Sequence, residues 1–242
     1  MFWKRRSSAS RPSEPAEPSD EADPFEAARQ WMVRTQLESR GIADPEILQA
    51  FRRVPRHAFV DDSGLVDEAY ADRALPAGEG QTMSQPYVVA VMTVAGRPAG
   101  DSGYGGARVL EIGTGSGYAA AILAELGADV TSIERHAALS ESAGARLRAA
   151  GYADVELVVG DGTQGWPGRA PYASILVTAG GPQVPRPLVD QLDREGGRLV
   201  VPIGSRDHQV LTLVERHGDE LTRRELEGVV FVPLIGTFGV RG

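Results

Sequence analysis

Glu111-Ile112-Gly113-Thr114-Gly115-Ser116-Gly117-Tyr118 stands between a short apolar run, Arg108–Ile112, and a stretch of small residues over 118–126, and its reading decides the fold. The apolar run reads as a buried strand and the small-residue stretch as a helix. Glycines between them let the backbone turn tightly and approach a ligand that a Cβ would obstruct. The loop opens onto a helix N-terminus, whose free N–H groups favour negative charge. A dinucleotide site requires G-x-G-x-x-G/A, and the position that should carry its third small residue holds the bulky Tyr118. The spacing present is G-x-G-x-G, with an acid two residues before it.

Outward from this loop the chain alternates between strand and helix. Strands are expected at 129–133, 155–159, Ser174–Val177 and 198–203, and helices at 137–150 and 185–192. Further strands at 209–215 and 227–232 are expected at the sheet edge, antiparallel to the rest. Such alternation predicts an α/β fold with a doubly wound, mostly parallel sheet. Ahead of it, a helical pattern runs from Phe25 to Gly41. Asp44-Pro45 then reads as an N-cap and first-turn proline for a helix through Phe51. Residues 59–80 show no period and are expected to be loop with short elements. Gly80-Gln81-Thr82-Met83-Ser84-Gln85-Pro86-Tyr87 is a polar turn leading into an apolar helix, 88–94, in which Ser84 read alone is an N-cap. Residues 1–24, where Pro alternates with Ser, Glu and Asp, read as a disordered tail. The domain would span 25–242, with N-terminal helices and a substrate loop over 25–106, a cofactor-binding core over 107–205 and edge strands over 206–242.

The glycine loop resembles the first motif of Rossmann-like (class I) methyltransferases, whose cofactor, S-adenosyl-L-methionine, carries no pyrophosphate. Its carboxylate can use the loop amides, and its ammonium group needs an anion or carbonyls nearby. Glu134 follows the second strand, where a carboxylate can accept both ribose hydroxyls. Asp161, in Gly160-Asp161-Gly162, follows the third, within reach of an adenine amino group. Each acid alone is an ordinary turn or cap residue. Three in register with a glycine loop, at the strand ends where open α/β sheets bind ligands, form a pattern.

Composition narrows the function. A formal net charge of -8 argues against nucleic acid, since phosphate binding wants a basic face. The absence of cysteine excludes disulfides, thiolate metal sites and a cysteine nucleophile. No apolar run approaches the roughly 18 residues of a membrane helix, and the basic start at Met1 is followed by no apolar stretch. A cytoplasmic monomer without metal is expected.

The Gln81-Thr82-Met83-Ser84-Gln85-Pro86 stretch is similar to the signature of the protein-L-isoaspartate O-methyltransferase family. Val54-Pro55-Arg56 with Phe59-Val60, Leu75-Pro76, Gly113 to Tyr118, Gly160-Asp161-Gly162 with Gly165-Trp166, Ala170-Pro171-Tyr172, Gln191-Leu192 and Val232-Pro233-Leu234 follow in family order, so the resemblance runs from about residue 31 to 236. It implies transfer of a methyl group to the α-carboxylate of L-isoaspartyl residues in damaged proteins and peptides, leaving S-adenosyl-L-homocysteine. It implies Ser84 as the active-site serine. Cofactor contacts are implied from Gln85, Pro86, Tyr87, Glu111, Gly113, Thr114, Gly115, Ser116, Gly117, Glu134, Arg135, Asp161, Gly162 and Gln209. The chain departs from the family at Val94, where many members carry Glu, and at the glycine-rich Gly180-Gly181 loop. Rival readings are a carboxyl methyltransferase of a peptide natural product or small molecule, a non-catalytic cofactor-binding domain and a nicotinamide dehydrogenase.

Overall fold

The computed structural model describes residues 23–241; nearly all of the expected tail lies outside them. Asp23 is ion-paired to Arg29 at 2.7 Å. The first helical region is α1 (Glu26–Met32), continued by a π-helical turn over Val33–Leu37 and a 3-10 turn over Glu38–Arg40 that ends at Gly41. In α2 (Pro45–Arg53) the Asp44 carboxylate accepts from the N–H groups of Glu46 and Ile47, as its place before a proline implied.

The stretch read as loop contains an unforeseen hairpin. β1 (Leu75–Gly78) pairs antiparallel with β2 (Gln81–Met83). Glu79 in the turn is the one non-glycine residue described at positive φ, 49°, a conformation held only where its surroundings dictate it. β2 carries the polar signature directly to α3 (Pro86–Gly96), whose N-cap is Gln85. The reading of Ser84 as N-cap is therefore corrected, because the chain stays extended one residue longer and no side chain caps this helix.

The core follows as β3 (Arg108–Ile112), α4 (Tyr118–Glu125), β4 (Asp129–Glu134), α5 (Ala137–Ala149), β5 (Glu156–Val159), β6 (Ser174–Val177), α6 (Arg186–Asp190), β7 (Glu195–Gly204), β8 (Gln209–His217) and β9 (Glu220–Val229). The sheet order is β5-β4-β3-β6-β7-β8-β9. It is parallel from β5 to β7, and β8 and β9 add antiparallel. Alternate residues of the central strands enter two cores, as a sheet covered on both faces requires. Val109, Leu176 and Val200 pack with α1 to α4. Leu110, Ile175, Val177, Leu199 and Val201 pack with Leu188 of α6 and with Leu234.

The last strand lies earlier than expected at 227–232. β9 begins at Glu220 and carries Arg223, Arg224, Glu225 and Glu227, the charged composition of an exposed sheet edge, which shows no apolar alternation. The apolar residues from Val230 onward leave the sheet as a strap. Gly180 donates to the Val232 carbonyl at 2.8 Å, and Leu234 donates to the Gly180 carbonyl at 2.7 Å. This packing accounts for the glycine-rich loop: a Cβ on Gly180 would lie 2.4 Å from the Gln209 amide.

Asp44→Ala should lower stability by about 1 kcal/mol, read as a fall of about 2–4 °C in the thermal midpoint, whereas Asp44→Asn should retain most of the cap. An unchanged midpoint in the alanine variant would remove the cap from the account.

Candidate active site

Strand order reverses between β3 and β6, and a crevice opens at their carboxyl ends, as at other such switch points. Gly113 leaves β3 with φ 96°, and a Cβ there would lie 2.4 Å from the Thr178 hydroxyl. That hydroxyl sits 3.0 and 2.8 Å from the Ile112 and Gly113 carbonyls, locking the end of β6 to the loop. Thr114 and Ser132 share a hydroxyl–hydroxyl bond of 2.6 Å. The N–H of Tyr118 donates to Ser116 Oγ at 3.3 Å. Gly117, with φ 91°, caps α4 without a side chain. The N–H groups of Thr114 and Ser116 bond to no acceptor among the described residues, and both residues line the inner crevice, where unpaired amides suit a carboxylate.

The three acids differ in what holds them. Glu111 is 1% exposed; burial pushes its carboxyl up to about 8, the Ser132 hydroxyl bonded to it opposes the shift and the Glu134 charge adds to it. Its Oε1 has no partner, and the residue lines the inner crevice beside Ser84, Thr114 and Ser116. An unpaired buried carboxylate oxygen on a residue that lines the crevice is what an ammonium group would satisfy, so the residues present fit the cofactor. Glu134 closes β4, where its two oxygens accept from the N–H groups of Gly115 and His136, each at 3.0 Å. It lines a cleft of about 530 Å³ with Gly113, Gly115, Arg135 and Gly162.

Asp161 stands differently from its expected place. Its carboxylate accepts four bonds, from the Thr163 N–H and hydroxyl, the Gln164 amide and the Thr237 N–H. Burial works against ionisation, but these donors prevail and hold the group well below the usual carboxylate range. The residue is a clasp on the C-terminal strap and does not line the 530 Å³ cleft, although its neighbour Gly162 does.

Four more expected contacts face elsewhere. Gln85 lines an outer groove. Pro86 is buried at the start of α3. The Tyr87 ring lies under the Arg40 guanidinium, 3.2 Å from its centroid. Gln209 uses its side-chain amide on the backbone of Phe231, at 2.9 and 3.2 Å. Thr82, Thr178 and the strap residues Val232 to Ile235 line the cleft instead. Thr82 lay within the signature and Val232-Pro233-Leu234 within the resemblance, so both were open to detection, but neither local periodicity nor turn chemistry showed that the strap would fold back over the cleft.

Ser84 occupies the junction. It lines the inner crevice with Glu111, and also the outer groove with Gln85, Val88, His208 and Phe231. Its hydroxyl makes no hydrogen bond among the described residues.

The sequence model of the family described as protein-L-isoaspartate(D-aspartate) O-methyltransferase matches residues 28–239. The chain is 51% identical over 218 residues to the protein-L-isoaspartate O-methyltransferase 1 of Syntrophobacter fumaroxidans, covering 90% of this chain and 99% of that one. It is 52% identical over 221 residues to the protein-L-isoaspartate O-methyltransferase of Methanoculleus marisnigri, covering 91% and 97%. A solved protein-L-isoaspartate O-methyltransferase superposes with a TM-score of 0.76 at 31% identity, over 88% of this chain and 67% of that one. A Plasmodium falciparum structure in complex with S-adenosyl-L-homocysteine shares the fold, with a TM-score of 0.70 at 21% identity over 84% and 96%. With its glycine loop, Glu111, Glu134 and its signature stretch meeting at one crevice, the chain belongs to the protein-L-isoaspartate O-methyltransferase family.

Proposed function

We propose that this chain transfers the methyl group of S-adenosyl-L-methionine to the α-carboxylate of L-isoaspartyl residues in proteins, the reaction its family membership carries. The observation that bears most weight is the uncommitted Ser84 hydroxyl in the wall between inner crevice and outer groove. Among the described residues no helix is long and apolar enough to cross a membrane; we place the protein in the cytoplasm, acting as a monomer.

The cofactor supplies an electrophilic methyl on a sulfonium. The chain must hold it, orient the acceptor and exclude water. Glu111 is assigned to the ammonium group, Glu134 to the ribose hydroxyls and the Thr114 and Ser116 amides to the carboxylate. Ile133, Gly162 and Leu234 line the cleft and would hold the adenine, while Asp161 holds the strap at Thr237. The acceptor carboxylate, with a pKa near 3.5 to 4, is already ionised at neutral pH, so no general base is required. The histidines fit this. His57 stacks on Phe25 with ring centroids 4.3 Å apart, His136 is the N-cap of α5, and His208 stands on the rim of the outer groove. Ser84 orients one carboxylate oxygen without protonating it. Alignment of this kind can supply up to about 7–11 kcal/mol.

Matched aspartyl and isoaspartyl peptides, offered with methyl-labelled cofactor, test the reading by mass spectrometry. A base-labile methyl should appear only on the isomerised peptide, and equal labelling of both would sink the assignment. Ser84→Ala should lower kcat by about a hundredfold with cofactor affinity nearly unchanged; equal losses in both would move Ser84 off the substrate side.

Glu111 makes cofactor binding proton-linked. Its folded pKa of about 8 lies above the ordinary 4.5, so folding favours the neutral form, and ligand-free stability should fall as pH rises from one value to the other. An ammonium group beside it restores ionisation, so binding at pH 7 should release about one proton. Calorimetry in buffers of different ionisation enthalpy measures this, and Glu111→Gln should abolish it. A buffer-independent heat in the unmodified protein would contradict the assignment.

A further inference from the structure

Arg56 belongs to the Val54-Pro55-Arg56 stretch, and the mechanism above gives it no part. Its side chain is fully buried, at 0% exposure, an unusual place for a guanidinium. Nε donates to the Ala69 carbonyl at 2.7 Å, and Nη2 donates to the Ser84 carbonyl, 28 residues along the chain, at 2.8 Å. The guanidinium carbon lies over the Tyr118 ring, 4.7 Å from its centroid, and Tyr118 is the first residue of α4, where the glycine loop ends. Among the described residues no carboxylate pairs with Arg56. Its Nη1 and the Tyr118 hydroxyl are both buried and make no hydrogen bond of ordinary geometry, although the two side chains interact electrostatically. Burial lowers the Arg56 pKa to about 10, which leaves it a cation at neutral pH.

For stability alone this is a poor arrangement, since an apolar side chain of similar volume would fill the space without stripping a charge of water. What an apolar side chain cannot do is grip two carbonyls from separate segments while lying flat on an aromatic ring. One of those carbonyls belongs to the residue whose hydroxyl stands between crevice and groove. The other, Ala69, lies in the segment that leads to the hairpin.

We propose that Arg56 is a positioning residue for methyl transfer: its guanidinium clamps the Ser84 carbonyl against the start of α4. The clamp fixes the backbone that presents the Ser84 hydroxyl and joins the substrate-bearing hairpin to the cofactor loop. This rests on the reading that Ser84 meets the acceptor carboxylate.

The test is Arg56→Lys, alone and combined with Ser84→Ala, assayed with an isoaspartyl peptide alongside cofactor binding and hydrogen exchange. Lysine keeps the charge but reaches only one carbonyl and lacks a planar face. Arg56→Lys should reduce kcat by about ten- to a hundredfold, leave cofactor affinity within about threefold, and speed amide exchange over residues 82–87 but not over 113–117. In the Ser84→Ala background it should cause little further loss, because a residue acting through Ser84 has nothing left to position. Losses that multiply in full would show a general structural role and overturn the proposal. So would unchanged turnover, or cofactor affinity falling in step with kcat. Should Arg56→Lys not fold, an ester in place of the 84–85 peptide bond weakens the Ser84 carbonyl as an acceptor and leaves the cation in place. The same loss of kcat is then expected, and a normal rate overturns the clamp. If the unmodified protein leaves isoaspartyl peptides unmethylated, the functional reading falls, while the exchange pattern over 82–87 still decides whether Arg56 holds the loop.

Discussion

Between β3 and β6 the chain departs from the sheet in opposite directions, so no connection covers the carboxyl ends of both strands and a crevice must remain there. The Thr178 hydroxyl ties the two strand ends together, against a Gly113 that no side chain could replace without a clash. Everything functional is arranged around that gap. The glycine loop forms its floor, and Glu134 braces the loop through the Gly115 N–H.

The remaining walls come from opposite ends of the sequence. The β1–β2 hairpin lays Thr82 and Ser84 over the crevice from the N-terminal side, and the strap from Val232 to Ile235 closes it from the C-terminal side. Neither wall is a regular part of the sheet, and each has its own brace. Asp161 and Thr163 hold the strap at Thr237 and Phe238, Gln209 holds it at Phe231, and Arg56 holds the hairpin at Ser84. A polar side chain that satisfies backbone groups of an irregular segment is the ordinary way such a segment is kept in one place.

Two buried ionisable side chains of the site are incompletely satisfied by the protein itself. Among the described residues Glu111 is buried with an oxygen unpaired, and Arg56 is buried without a counter-ion. Groups of this kind reduce the stability of the fold that holds them, which is the usual condition of a site preorganised for a ligand.

The βα alternation, the glycine loop, the Asp44 cap and the acids after successive strands were legible in the sequence, because local periodicity and turn chemistry fix them and neighbouring residues suffice to read them. Family resemblance singled out Ser84 as the active-site serine, although its residue type alone suggested a cap. The hairpin was not legible, since its strands are three and four residues long and their pairing depends on a turn at Glu79. Nor was β9, whose charged edge hides its period. Only the tertiary structure turned Tyr87 toward Arg40, committed Gln209 to Phe231 and made Asp161 a clasp. A side chain's partners are set by which distant segment packs against it, and that is decided when the sheet closes.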